Sequence, residues 1–574
     1  MSTMDTTTAT LKQKAAVITN WIQRCDADHA GSPCKSVAEG ITPKRLIHLD
    51  PTTSTARLIT TPTPVPPYVA LSYVWGPAEL SLTTITSNLT QMQTAIPTSI
   101  LPATLSQVFT LCHHLSIPHL WIDALCIVQD DPLDKATEIA NMGYIYWNAR
   151  LQIAAMASRG ASHGLLPPPP PVSPSLTPAA NLERDYHHLI MRACRSLRQN
   201  VWDDALRELY PLLTRGWTFQ ERILARRCVH FTVTELVWEC KRSRWCECEG
   251  IEGIQPAAAG NMNLINNMSA AFEACVSMPR DTSESAAVEK VIPMWRECVM
   301  GYSKRRLTDP EDRLVAISGI ARILRGVEGR EKYLAGLWAD AMPFELLWRC
   351  DQSRVAGLGA SKTRRPSWSW CSVDCGVDWP AVEASNRERK EKKADRCEGE
   401  FGQSLEYLTS GTYFEGGLSG ARVVETRIEP EDVGFGPVDM GMLGLWTRAV
   451  DVEVKRHAVA AGWMEAHQTQ WVIEGESGGV LPFYPDIRLP EVSVGELERG
   501  EDGPVCHDQG GRYVFVEIAS KSTEAGRWEA GLVVRKGVGG AYERVGMAGW
   551  IVCRAREDGS SFFDCAEYSR FTLV

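Results

Sequence analysis

The sequence predicts an α/β domain with a mostly parallel sheet, followed by a helical region and a β-rich C-terminal domain. Three observations predict it. In the first half of the chain, short runs that are apolar on both faces alternate with stretches of helical period, as in a sheet covered by helices. Between about residues 265 and 360 the 3.6-residue period takes over, in DRLVAISGIARIL and LAGLWADAMPFELLW. From about residue 365, short segments set off by Gly and charge (VVETRIEP, AVDVEVKR, YVFVEIAS, AGLVVRKG, GWIVCR) carry the pattern of antiparallel strands.

Taken in order, residues 1–44 are a polar, Thr-rich lead-in, and residues 45–250 are the α/β domain. YVALSYVW at 68–75 is apolar on both faces and bounded by prolines, which predicts a buried parallel strand. Leu101, Leu105, Val108, Cys112 and Leu115 recur at helical spacing, and Pro102 suits a first turn. LWIDALCIV at 120–128 predicts a second strand with one charge inside it. Residues 133–147 predict a helix, and LQIAAMA at 151–157 predicts a third strand or a buried helix start. LLPPPPPVSPS at 165–175 excludes regular structure and marks an insertion near 160–200. A helical segment is expected at about 181–213. RGWTFQERILARR then predicts a helix, and CVHFTV and LVWEC predict strands. The helical region is placed at 251–364 and the β-rich domain at 365–574. The hydrophilic runs at 386–396 and 495–503 read as solvated loops.

Composition narrows the function. The 574 residues exceed a single core of ~100–200 residues, so two or three domains are expected. Sixty Lys and Arg against seventy Asp and Glu give a net charge of −10, which argues against a coat for nucleic acid or anionic membrane. No apolar run approaches the ~18–20 residues of a membrane span, and the N-terminus lacks a basic start and apolar segment. A cytoplasmic location is the expectation. The 18 Cys are scattered through the chain, many inside apolar runs, and read as buried thiols. The 19 Trp imply packed cores with some ring surfaces left for ligands or partners.

Several residues carry chemistry. Ser72, Trp75 and Gly76 sit at the carboxyl end of the first strand, where open α/β sheets bind ligands. There Ser72 can donate a hydrogen bond and Gly76 can admit a phosphate, or the segment is a tight turn before Pro77. No GxGxxG or P-loop pattern follows. Asp123 lies in an apolar run and needs a partner, for which Arg215 is the choice; the pair would lock strand to helix or bind a ribose. Gln129 stands behind the second strand. Cys126 reads as a structural thiol. On a helix, Trp217, Gln220 and Glu221 share one face with Leu224. A carboxylate beside an indole is partly desolvated, which raises its pKa and suits it to charge stabilisation. The bland reading makes Trp217 core and pairs Glu221 with a neighbouring Arg. Cys25, His29 and Cys34 have C-x3-H-x4-C spacing, and Cys240, Cys246 and Cys248 form a second group. Four of the six would make a tetrahedral site if the segments met. Neither group contains a C-x2-C pair, so no metal ligand is assigned.

Three blocks in order, YVALSYVWGP at 68–77, LPATLSQVFTLCHHLSIPHLWIDALCIVQDD at 101–131 and RGWTFQERILARRCVHFTVTELVWEC at 215–240, resemble the fungal heterokaryon-incompatibility (HET) domain family. DRLVAISGIA, YLAGLW and PSWSW resemble its flanks. The resemblance implies a role in non-self recognition and programmed cell death, and a fold similar to TIR (flavodoxin-like) domains, some of which cleave NAD+. Their catalytic Glu lies in a Trp-x-x-x-Glu helix, a spacing that Trp217 and Glu221 reproduce. The resemblance thus implies Glu221 as catalyst. Ser72, Trp75, Gly76, Asp123, Gln129, Arg215, Trp217 and Gln220 are the expected substrate-binding residues, with Trp217 stacked on a base and Gln220 on a ribose hydroxyl. NAD+ would be substrate, with no cofactor. Two further readings stand beside it. One is a non-enzymatic module that self-associates or binds an unidentified protein partner; the other is a Cys- or metal-dependent hydrolase.

Overall fold

The structure is a computed structural model. It describes residues 3–32, 34–35, 40–53, 55–77, 82–166, 210–233, 235–248, 284–325, 333–350 and 365–379. Beyond these it describes 419–420, 422–429, 440–458, 469–475, 480–485, 498–500, 503–507, 513–523, 526–536, 541–549 and 568–574. The prolines at 167–171 and 174, the expected helix up to residue 209 and the run at 386–396 lie outside the described residues. The chain forms two compact units. The first holds Met1–Ala274, Arg305–Leu307 and Val315–Ile320; the second holds Cys275–Lys304, Thr308–Leu314 and Ala321–Val574.

The first unit is built on an eight-stranded sheet: β1 (Arg45–Leu49), β2 (Ala56–Thr60), β3 (Val69–Ser72), β4 (His119–Trp121), β5 (Leu151–Ala154), β6 (Arg227–Phe231), β7 (Leu236–Cys240) and β8 (Arg244–Cys246). Their order is β2-β1-β4-β3-β5-β6-β7-β8. Only the central four, β4, β3, β5 and β6, run parallel; β1–β2, β1–β4, β6–β7 and β7–β8 are antiparallel. The expected mostly parallel sheet is therefore a parallel centre inside a mixed sheet. Val69–Ser72 and Leu151–Ala154 are buried throughout, as central strands covered on both faces must be. In β2, Ala56 and Leu58 face in while the residues between and beyond face outward, the alternation of an edge.

The helices follow from local signals. In α1 (Thr3–Asp28), Leu11, Ala15, Ile18, Trp21, Ile22 and Cys25 form one buried stripe. A short α2 (Leu89–Thr94) precedes α3 (Ala103–Leu115), which starts after Pro102 and ends at Ser116 in the left-handed region, φ 56°. The run expected as a second strand divides: three residues join the sheet, and Asp123–Cys126 turns into α4. An apolar run that short does not distinguish strand from buried helix; the Asp123 carboxylate accepts Ala124 N–H at 2.7 Å in the first turn of α4. Helix α5 (Pro132–Asn148) carries proline in its first turn, with the Asp131 carboxylate accepting from Leu133 and Asp134 N–H. Helix α6 (Trp217–Leu224) leads into β6.

The second unit contains α7 (Glu284–Ser303) and residues of α8 (Asp312–Arg325). The expected helix at 334–348 is absent. Tyr333–Leu334 and Leu337–Trp338 instead pair as a hairpin turning on Ala335 and Gly336, at φ 47° and 97°. Two successive positive φ values are the signature of a tight hairpin turn. A side chain on Gly336 would collide with the Trp370 indole at 2.6 Å. Trp295, Trp338, Trp348, Trp368, Trp370 and Trp379 are all buried here, and Arg544 lies 3.5 Å over Trp348. An eleven-stranded sheet, almost wholly antiparallel, centres on Met440–Ala458.

Within the first unit, Gly143 of α5 and Gly319 approach until a Cβ on either would lie 3.0 Å from the other's Cα. A Cβ on Gly319 would also meet Gln220 Oε1 at 2.5 Å. Helix propensity would reward Gly319→Ala by at most about 1 kcal/mol, whereas overpacking costs about 1–3 kcal/mol. We expect Gly319→Ala to lower the urea midpoint; a midpoint unchanged or raised would show that the contact relaxes freely.

Candidate functional site

The order of the parallel strands sends the chain from β3 to β4 on one side and then back to β5 on the other. This makes a topological switch point beside β3, and ligands of open α/β sheets bind outside the carboxyl ends of the strands at such points. Ser72 closes β3, Trp75 follows it, and Asp123 follows β4. Helix α6 delivers Glu221 to the same place.

Glu221 is 5 % exposed, and Ser72 Oγ donates a short hydrogen bond to its Oε2. Burial pushes its carboxyl up to about 7. The nearby Asp123 charge adds to the rise, while the hydrogen bond from Ser72 and the Arg215 charge oppose it. Its neighbour Arg222 points elsewhere, since successive helical residues diverge by ~100°. Arg222 Nε bonds Glu239 Oε2 at 2.9 Å, and Arg244 and His230 complete that buried group. Burial opposes the charge on Glu239, yet the two guanidiniums hold its carboxyl well below the ordinary range. Arg222 is therefore not the partner of Glu221. Among the described residues, Glu221 has no cation in contact.

Asp123 is half-buried. Its Oδ2 accepts the Trp75 indole N–H at 2.9 Å, and desolvation pushes its carboxyl up to about 6 against that bond and the Arg215 charge. The expected Asp123–Arg215 ion pair is not formed: Trp75 is the direct partner, and Arg215 acts through its field. Arg215 is half-buried, and among the described residues its guanidinium makes no ion pair. Trp217 begins α6, partly buried against the core.

The other expected binding residues have structural employment. Gln220 is buried, with Oε1 accepting Gly319 N–H at 2.7 Å, so its carbonyl faces backbone where a ribose hydroxyl was expected. Gln129 Nε2 donates to the carbonyls of Asp123 and Ile127 at 3.0 and 3.3 Å. Gly76 adopts φ 82°, and a Cβ there would lie 3.3 Å from Gly160 Cα; its smallness admits a neighbouring loop rather than a phosphate. Cys126 is fully buried, and burial pushes its thiol up to about 12, which removes it as a nucleophile.

Two residues were not anticipated. Tyr73 and Tyr146 are buried against the acids, and desolvation raises both phenols well above their ordinary value. Tyr146 Oη donates to Leu71 O at 2.9 Å. A Tyr in a core stripe must seat its hydroxyl somewhere, which is the signal YIYW offered. At the opposite, amino-terminal ends of the strands, Gly40, Val65, Pro67, Asn148, Arg150 and Arg226 are among the residues around a cleft of about 340 Å3. Cys25, His29, Cys34 and Cys240 also meet there, away from the acids.

Both acids titrate above their ordinary values, so between the usual carboxylate range and about pH 7 the folded chain keeps protons that the unfolded chain has released. Stability then falls as pH rises through that interval. Glu221→Gln removes one of the two contributions while keeping an acceptor for Ser72. Denaturant titrations from about pH 4 to pH 8 should show the wild type losing on the order of 3 kcal/mol more than the variant. Parallel curves for the two proteins would mean that the Glu221 carboxyl is solvated.

No curated protein and no solved structure matches the chain significantly. Among the described residues, no helix is long and apolar enough to cross a membrane. The model of the family described as Heterokaryon incompatibility protein (HET) matches residues 68–221, from the residue before β3 to the carboxylate on α6. Residues 68–221 of this chain therefore belong to the heterokaryon incompatibility (HET) domain family.

Proposed function

We propose that the first unit is a TIR-like signalling domain that hydrolyses NAD+ with Glu221 as the catalytic carboxylate. In this reading it acts in fungal non-self recognition and programmed cell death, in the cytoplasm and in an assembly of its own copies or with a protein partner. The parallel-strand order β4-β3-β5-β6 is the 2-1-3-4 order of flavodoxin-like sheets, which supports the TIR-like reading. The single observation that carries the proposal is a desolvated carboxylate held by Ser72 beside the switch point, with no cation in contact among the described residues.

In the proposed reaction, the bond between the ribose anomeric carbon and the nicotinamide nitrogen breaks, and its electron pair leaves with neutral nicotinamide. Water adds to the oxocarbenium-like ribosyl group and releases a proton, giving ADP-ribose. A carboxylate close to that centre stabilises the developing positive charge, and more strongly in a dry site than in water. Asp123, positioned by the Trp75 indole, adds a second negative charge. In this reading Arg215 takes a phosphate and Trp217 stacks on a base.

Because the ionised form of Glu221 is required, kcat/KM should rise with pH through a limb near 7. Purified full-length protein incubated with NAD+ should release nicotinamide, followed by chromatography. Glu221→Gln should lower the rate by at least ~100-fold, in line with loss of one preorganised electrostatic group. Equal rates in wild type and variant, or no turnover in either even at high protein concentration, would overturn the enzymatic reading. The second of these outcomes favours a non-enzymatic interaction module.

A further inference from the structure

We propose that Cys25, His29, Cys34 and Cys240 bind a structural zinc ion that fastens α1 and the segment after it to the sheet. Cys25 lies in the last turn of α1, and His29 follows it by one helical turn, with its N–H on Cys25 O at 3.1 Å. Cys34 comes from the segment beyond, and Cys240 from the end of β7. The three sulfurs and one imidazole nitrogen all lie within 4.8 Å of one another.

Two distances show how well the group fits a tetrahedron. Zn–S bonds of about 2.3 Å and Zn–N bonds of about 2.0–2.1 Å place two ligand sulfurs about 3.8 Å apart, and a sulfur about 3.5 Å from a nitrogen. Here His29 Nδ1 lies 3.8 Å from Cys34 Sγ and 3.6 Å from Cys240 Sγ. All three thiols are buried and none is in a disulfide.

The surroundings are those of a metal site. The outer ring nitrogen, His29 Nε2, lies 3.3 Å from Ser243 Oγ, which orients the imidazole with Nδ1 inward. Ser243 N–H donates to Cys240 Sγ at 3.3 Å, and Arg227 Nε donates to Cys25 Sγ at 3.3 Å. Three thiolates and a neutral imidazole on Zn2+ carry one net negative charge, and the buried Arg227 guanidinium that faces Cys25 is shared with Asp26, at 2.7 Å, which Arg150 also pairs. Four protein ligands leave no open coordination position, so the role is structural.

The group Glu235, Cys246 and Cys248, at the other end of β7, does not meet the same test. Cys246 and Cys248 Sγ atoms lie 2.9 Å apart, too close for two thiolates on one zinc, and only three ligands are present among the described residues.

Full-length protein, purified under reducing conditions with zinc in the medium, should carry about one zinc per chain by mass spectrometry of the metal. Cys34→Ser and Cys240→Ser should each lose most of it, and Cys248→Ser should keep it. A wild type with less than about a tenth of an equivalent would overturn the site. So would zinc retained in both ligand variants, or Cys25, Cys34 and Cys240 protected from thiol reagents as disulfides. Should the ligand variants fail to fold, cobalt exchanged into the wild type decides. Intense visible bands with sulfur-to-cobalt charge transfer support a three-sulfur tetrahedral site, and the weak spectrum of octahedral cobalt overturns it.

Discussion

The hydrogen bond from Ser72 to Glu221 is the interaction on which the candidate site depends. A carboxylate removed from water costs several kcal/mol unless it is paired or keeps its proton. Here a hydroxyl at the end of β3 supplies partial compensation and a guanidinium supplies none by contact, so the acid stays poised near neutrality. A guanidinium in contact would instead hold the carboxylate charged, as two do at Glu239. The fold thus tolerates a local cost at the carboxyl end of β3.

The contrast with Glu239 makes this concrete. Both acids are buried, and Arg222 is adjacent in sequence to Glu221, yet the guanidinium goes to Glu239. Arg244 and His230 join it there, and the resulting group welds α6 to β6, β7 and β8. One helix therefore carries a structural ion group on one face and an unneutralised acid on another. Rigidity from the first holds the second against Ser72. Tyr146 contributes similarly from α5, its ring in the core and its hydroxyl at the backbone of β3.

The tryptophans serve packing more than ligand contact. In the second unit six of them are fully buried, with Tyr333, Arg296 and Arg544 fitted around their faces and edges. In the first unit Trp238 and Trp245 stack at 5.8 Å, and Trp21 of α1 closes on Trp238 at 6.2 Å. Among the described residues of the first unit, Trp75 and Trp217 are the partly exposed exceptions.

By itself the sequence ran β4 too long and left β5 between strand and helix, but it determined strands β3 and β6 and the helices α3, α5 and α6. These depend on local period, on proline at helix starts and on motif spacing, all of which act between near neighbours. It misjudged what depends on distant partners. Asp123 turned from strand to helix and took an indole in place of a guanidinium. Gln220 went to Gly319, and the residues around Gly336 formed a hairpin despite a helical stripe. Only the tertiary structure decided which thiols meet across more than two hundred residues, and which acids keep a cation. Both are questions of through-space distance, to which a one-dimensional spacing carries no answer.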